Sequence, residues 1–213
     1  MKMLVKLLLP VMMLALCGCS REVSPVSALA LDKTAGGYRL TAEIVRQDSL
    51  DEAASPAYLT VSGSDMPDLL QRLGNLLPGE LYLSHAQVLL LGENAAEESI
   101  LPLADYLCTD NDVRLSLRVA VVRGSAAADL MRNDDEVYAL SELLERAARG
   151  GTLPDVPLYR AAEVLHAGGT AILPALHLDE FGQSAPAGTA VFANSQLSCF
   201  LDGSGIGGGA VGA

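Results

Sequence analysis

The residues best spaced to do chemistry in this chain are Leu16-Cys17-Gly18-Cys19-Ser20, which follow a basic start at Lys2 and Lys6 and an apolar run over residues 7–16. A thiol behind a small residue, with an aliphatic residue three positions before it, is a substrate for thioether acylation and for signal cleavage in front of the cysteine. Gly18 and Leu16 satisfy this for Cys19, whereas modification at Cys17 would put bulky Leu16 at the cut. The expected chemistry is lipid attachment at Cys19, with residues 1–18 leaving as a signal peptide and the rest exported. The apolar run is shorter than the roughly 20 residues needed to cross a bilayer, so it reads as a cleaved signal and not a span. Cleavage at Ala28-Leu29-Ala30 is the alternative, but that site lies far past the apolar run and inside strand-like sequence. Diacylglycerol on Cys19 with a further acyl chain on its amine supplies the two or more chains that stable anchoring requires.

Other candidates are weaker on spacing. His177-Leu178-Asp179-Glu180 offers an imidazole and two carboxylates. On a strand, however, His177 and Asp179 share one face and Glu180 the other, so only two ligands converge. His85 and His166 stand at element ends, where capping and hydrogen bonding are the common roles. Glu93, Glu97 and Glu98 crowd the start of a helix; paired carboxylates can serve a hydrolase, but there they favour the helix dipole. Ser64 and Ser125 lack the Gly-x-Ser-x-Gly elbow and occupy cap positions. Gly203-Ser204-Gly205-Ile206-Gly207-Gly208 matches the dinucleotide fingerprint in form, but no helix or second strand follows it. No catalytic, cofactor-binding or metal-ligating residue is nominated, and the other acidic groups read as a solvated surface.

Composition narrows the class. The 213-residue chain carries a formal charge of −12, and removing Lys2 and Lys6 with the signal takes it to −14. That balance argues against nucleic acid and against adhesion to anionic head groups, leaving the acyl chains to hold the membrane. With Cys17 lost and Cys19 acylated, only Cys108 and Cys199 remain, each in an apolar segment where a buried free thiol is expected.

The elements that must position these residues follow from periodicity. Residues 26–31 and 38–45 read as an antiparallel hairpin around Gly36-Gly37, with a short strand at 57–62. Ser64 or Asp65 caps a helix over 66–77, ended by Pro78-Gly79. Residues 87–91 are continuously apolar and too short for a helix, as in a central strand covered on both faces. Asn94 is expected to cap the next helix, through Ile100 and Leu107, before strand character returns over 115–122; the strands of Glu43 and Arg118 are expected alongside. Helices over 126–131 and 136–149, another opened by Asp155-Val156-Pro157, a strand over 171–178 and a hairpin of 188–192 with 196–201 complete the pattern. The fold class is α/β of mixed α+β type: a mixed sheet with flanking helices and antiparallel hairpins at both ends of the domain. The divisions are residues 1–18 signal, 19–202 domain and 203–213 a glycine-rich disordered tail.

In order, the lipid-attachment motif, Ala28-Leu29-Ala30-Leu31-Asp32-Lys33, Tyr38-Arg39-Leu40-Thr41-Ala42-Glu43-Ile44, Leu83-Ser84-His85-Ala86-Gln87-Val88-Leu89-Leu90-Leu91-Gly92-Glu93 and Asp110-Asn111-Asp112-Val113-Arg114-Leu115 form a series. Ser141-Glu142-Leu143-Leu144-Glu145, Val156-Pro157-Leu158-Tyr159 and Gly188-Thr189-Ala190-Val191-Phe192 with Leu201-Asp202 continue it. The series resembles the spore germination receptor C-subunit lipoproteins, the Ger(x)C family. The resemblance implies a non-enzymatic lipoprotein subunit of a nutrient germinant receptor, anchored on the extracytoplasmic face of the spore inner membrane beside multi-spanning partner subunits. The acidic balance and the spacing of the candidate ligands, and not the resemblance, lead to the expectation of no cofactor, metal or nucleic-acid partner. Two departures are Ser20-Arg21 where members often have Trp-Asp, and a glycine-rich tail where members continue into a further domain, as expected of a truncated copy. The alternatives are a generic extracytoplasmic ligand-binding lipoprotein, a non-functional truncated copy, and an anchored hydrolase using Glu93 or the His177 segment.

Overall fold

The computed structural model describes residues 23–46, 53–77, 79–109, 112–133 and 136–202. The signal, Cys19 and the glycine-rich tail lie outside the described residues. In chain order the strands are β1 (Val23–Thr34), β2 (Gly37–Arg46), β3 (Ser55–Gly63), β4 (Glu80–Tyr82), β5 (Val88–Gly92), β6 (Arg118–Val122), β7 (Ala171–Leu178), β8 (Ser184–Ala193) and β9 (Gln196–Leu201). The helices are α1 (Met66–Leu76), α2 (Glu93–Ala96), α3 (Leu101–Thr109), α4 (Ala127–Arg132), α5 (Ala139–Arg149) and α6 (Leu158–His166).

All nine strands join one mixed sheet in the order β3-β2-β1-β5-β6-β7-β8-β9, with β4 beside the start of β1. β1, β5, β6 and β7 run parallel, while β2–β3 and β8–β9 add antiparallel hairpin strands at the two edges. The expected class is therefore the observed one.

The continuous apolar run of β5 is explained by its position. Leu89 and Leu91 enter a core with Leu29, Leu31, Val119 and Val121 under α1, α3 and α6. Val88 and Leu90 enter a second core with Ala28, Ala30, Ala120 and Val122 under α4 and α5. A strand with helices on both faces has no solvent side, so alternation gives way to unbroken hydrophobicity.

Three expectations need correction. Gly92, and not Asn94, is the N-cap of α2, and the chain breaks between α2 and α3, where the Ile100 amide donates to the Ser195 carbonyl at 2.9 Å. Pro102 explains the break: it has no N–H for a continuing helix and fits only in a first turn. The strand expected from residue 115 starts at Arg118, because the Leu117 amide closes a turn onto the Arg114 carbonyl at 3.0 Å. The strands of Glu43 and Arg118 share the sheet but are separated by β1 and β5.

Candidate functional site

At the carboxyl ends of β1, β5 and β6 the chain leaves the sheet at three neighbouring points, and a cavity of about 380 Å³ opens, lined by Asp32, Arg39, Glu93, Asn94, Gly124 and Ser125 among others. Asp32 is the last inward-facing residue of β1 on the α4 side. Its carboxylate is buried and accepts the amides of Ala127 at 2.7 Å and Ala128 at 3.1 Å. A helix leaves its first N–H groups without partners, and here a carboxylate from a distant strand supplies them. Ser125, expected to cap this helix, does not: Ala126 is the N-cap residue without a side-chain bond, and the Ser125 hydroxyl is buried without a partner. Asp32 and Glu43 also correct the expectation that the acidic groups are solvated.

The approach of β5 to Asp32 requires glycine. A Cβ on Gly92 would stand 2.4 Å from Asp32 Oδ1, closer than any carbon–oxygen contact allows. Next to it, Glu93 Oε2 accepts the Gly124 amide at 3.2 Å. Both carboxylates in this cavity thus serve as acceptors for backbone amides and bind loop to strand; they do not form an acid–base pair. Arg39, directly across the hairpin from Asp32, is the exposed cation on the rim.

Glu98, grouped with Glu93 by sequence, turns to another place. It receives Lys33 at 2.8 Å and the Tyr38 hydroxyl at 3.1 Å, while the Lys33 ammonium sits 4.4 Å over the Tyr38 ring. The hydrogen bond from Lys33 first, then that from Tyr38, holds the Glu98 carboxyl below its ordinary range. The same bond raises Lys33. Partial burial, followed by the bond to Glu98, raises the Tyr38 phenol.

A second polar locus escaped sequence reasoning. Glu43 on β2 is buried, with its Oε1 2.5 Å from the Ser27 hydroxyl. The Tyr58 hydroxyl bridges Glu43 Oε2 at 3.4 Å and the Met131 carbonyl at the end of α4 at 3.1 Å. Thr41 and Thr60 are 2.9 Å apart, and Arg132 donates to Thr60 at 2.7 Å. This seam binds α4 to β2 and β3. The one available signal was the placing of Thr41 and Glu43 opposite Leu40, Ala42 and Ile44, which is equally the pattern of a solvated face.

The remaining candidates are dispersed. Asp179 lies beyond the end of β7 and accepts the turn amides of Phe181 and Gln183 at 2.9 and 2.8 Å, so it is not assembled with His177 as a ligand set. His166 pairs with Asp105 at 2.6 Å, and His85 packs against Tyr82 with ring centroids 5.4 Å apart. Among the described residues no three His, Cys, Asp or Glu side chains gather as metal ligands. Cys108 and Cys199 are both free, but the expected burial fails: Cys108 is half-buried and Cys199 exposed, because β9 is an edge strand.

Comparison with known proteins decides the family. Residues 21–178 match the spore germination protein N-terminal domain. The chain belongs to this family. No curated protein and no solved structure matches the chain. In this spore germination domain the matched span reaches from just before β1 to the end of β7, and so holds the Asp32 cavity and the Glu43 seam, while β8 and β9 extend the sheet beyond it. Among the described residues no helix is long and apolar enough to cross a membrane.

Proposed function

We propose that this chain is a lipoprotein subunit of a nutrient germinant receptor, held on the extracytoplasmic face of the spore inner membrane by acyl chains on Cys19. Residues 19–202 act as its folded domain and meet multi-spanning receptor subunits through protein contacts, without catalysis, cofactor or metal. The observation that carries this reading is the match of residues 21–178 to a spore germination protein domain; it is supported by the preceding Leu16-Cys17-Gly18-Cys19, whose spacing suits lipid attachment. The reading without catalysis is supported by the use of these three carboxylates: Asp32, Glu93 and Asp179 each accept backbone amides, a positioning role in place of acid–base work.

The test is release of dipicolinic acid after nutrient addition from spores lacking the gene, complemented with the 213-residue chain or its Cys19→Ala form. The reading expects loss of the response on deletion, rescue by the parent chain and failure of Cys19→Ala. An unchanged response across a broad nutrient panel would overturn it and favour a ligand-binding lipoprotein instead.

A further inference from the structure

Among the described residues, seven large hydrophobic side chains are exposed, and five of them, Val23, Leu76, Tyr82, Tyr159 and Leu115, belong to one end of the domain. That end is defined by the amino termini of the parallel strands. Val23 opens β1 opposite Glu80, and Tyr82 closes β4 opposite Pro25. Leu76 ends α1, which leads into β4. The Tyr82 ring packs on His85, which shares a surface hollow with Asp112, Val113 and Arg114, the residues just before Leu115. Tyr159 stands in the first turn of α6, which starts where the Leu158 amide donates to Leu117, one residue before β6. The other two exposed side chains, Phe181 and Leu201, lie elsewhere: Phe181 in the turn beyond the carboxyl end of β7, and Leu201 at the end of the edge strand β9.

We infer that this end is a membrane-contact face, seated in the head-group layer of the bilayer that holds the anchor. The inference rests on the proposed acylation of Cys19. Four residue steps separate Cys19 from Val23, a reach of about 14 Å at full extension. The β1 entrance must therefore stay close to the lipid surface, while a folded domain of this size extends roughly 40 Å away from it. Isolated exposed apolar residues need no explanation, but five gathered at the anchored end are suited to the interface, where tyrosine sits with its ring among lipid and its hydroxyl in water. Charge does not provide the contact, because the chain is acidic, so neutral lipid should suffice.

The test uses the full lipidated chain with Cys108→Ala and Cys199→Ser, floated with phosphatidylcholine vesicles containing doxyl-labelled lipid. A bimane fluorophore is placed at Leu115→Cys, at Tyr159→Cys or, as the distal control, at Phe181→Cys. These positions are exposed, Leu115 by 68% and Phe181 by 80%, so labelling leaves the cores intact. Strong quenching at 115 and 159 with little at 181 is expected. A chain that floats with all three labels equally unquenched would overturn the face alone. A chain that fails to float would overturn the anchoring, and the face with it.

Discussion

Replacing Asp32 with alanine should destabilise the domain far more than an ordinary strand substitution, because two amides at the start of α4 depend on one carboxylate. Ala127 and Ala128 are both buried, so water cannot take over their N–H groups. A hydrogen bond to a charged group contributes about 1.5–3 kcal/mol, and a buried donor left without an acceptor costs about 1–3 kcal/mol. Allowing for overlap between these two descriptions of one loss, Asp32→Ala should cost about 3–4 kcal/mol, or roughly 10 °C in Tm for a domain of this size. Asp32→Asn keeps one acceptor and should cost about 1–2 kcal/mol. Gly92→Ala has an acceptable backbone, with φ −62°, but its methyl would meet the Asp32 carboxylate; overpacking of this kind costs about 1–3 kcal/mol. Since that cost exists only while the carboxylate is present, Gly92→Ala should cost less than about 0.5 kcal/mol in the Asp32→Ala background. Urea unfolding followed by circular dichroism, on the chain from residue 19 with Cys19→Ser, measures all four corners of the cycle. An Asp32→Ala variant within about 0.5 kcal/mol of its parent, or a Gly92→Ala cost unchanged by removing the carboxylate, would refute the long-range cap.

Two further predictions concern titration and reactivity. Burial, with the neighbouring Asp105 charge, pushes the Cys108 thiol up, whereas Cys199 is exposed; a disulfide reagent should modify Cys199 rapidly and Cys108 slowly, with Cys108→Ser removing the slow phase, and two equal fast phases would contradict the burial. Glu98 is held below its ordinary 4.5, so its contribution to stability is present above that value and is lost as pH falls through the folded-state pKa. Lys33 is raised above 10.5, so its contribution is present below that value and is lost as pH rises through its own. Glu98→Gln should flatten both limbs of the Tm-versus-pH curve and lower the Tyr38 pKa in an NMR titration; a Tyr38 titration indifferent to the substitution would show that the triad does not form in solution.

Much of the backbone was legible because it depends on local pattern. Gly36-Gly37 between two β-like runs specified the first hairpin, and Gly37 adopts φ +135° there, a conformation that favours glycine. Asp65 at the start of a 3.6-residue apolar period specified α1, and its side chain accepts the Asp68 amide. The run of Val88 to Leu91 specified a strand with no solvent face. The helix break before Pro102 was equally available in the sequence, but the apolar positions on either side of it continued one helical face and concealed it.

What the residues alone determined about this protein is thus its class, its hairpins and the central position of β5, all of which rest on neighbours within a few positions. What only the tertiary structure decided is the use of its carboxylates. Asp32 caps a helix that starts 95 residues later, Glu43 is enclosed because α4 covers a face whose alternation reads as solvent-exposed, and Glu93 and Glu98, five residues apart, are divided between separate networks by the turn after α2. A charged side chain has the same local signature whether it faces water or a distant amide, and only the packing of helix on sheet sets which partner it meets.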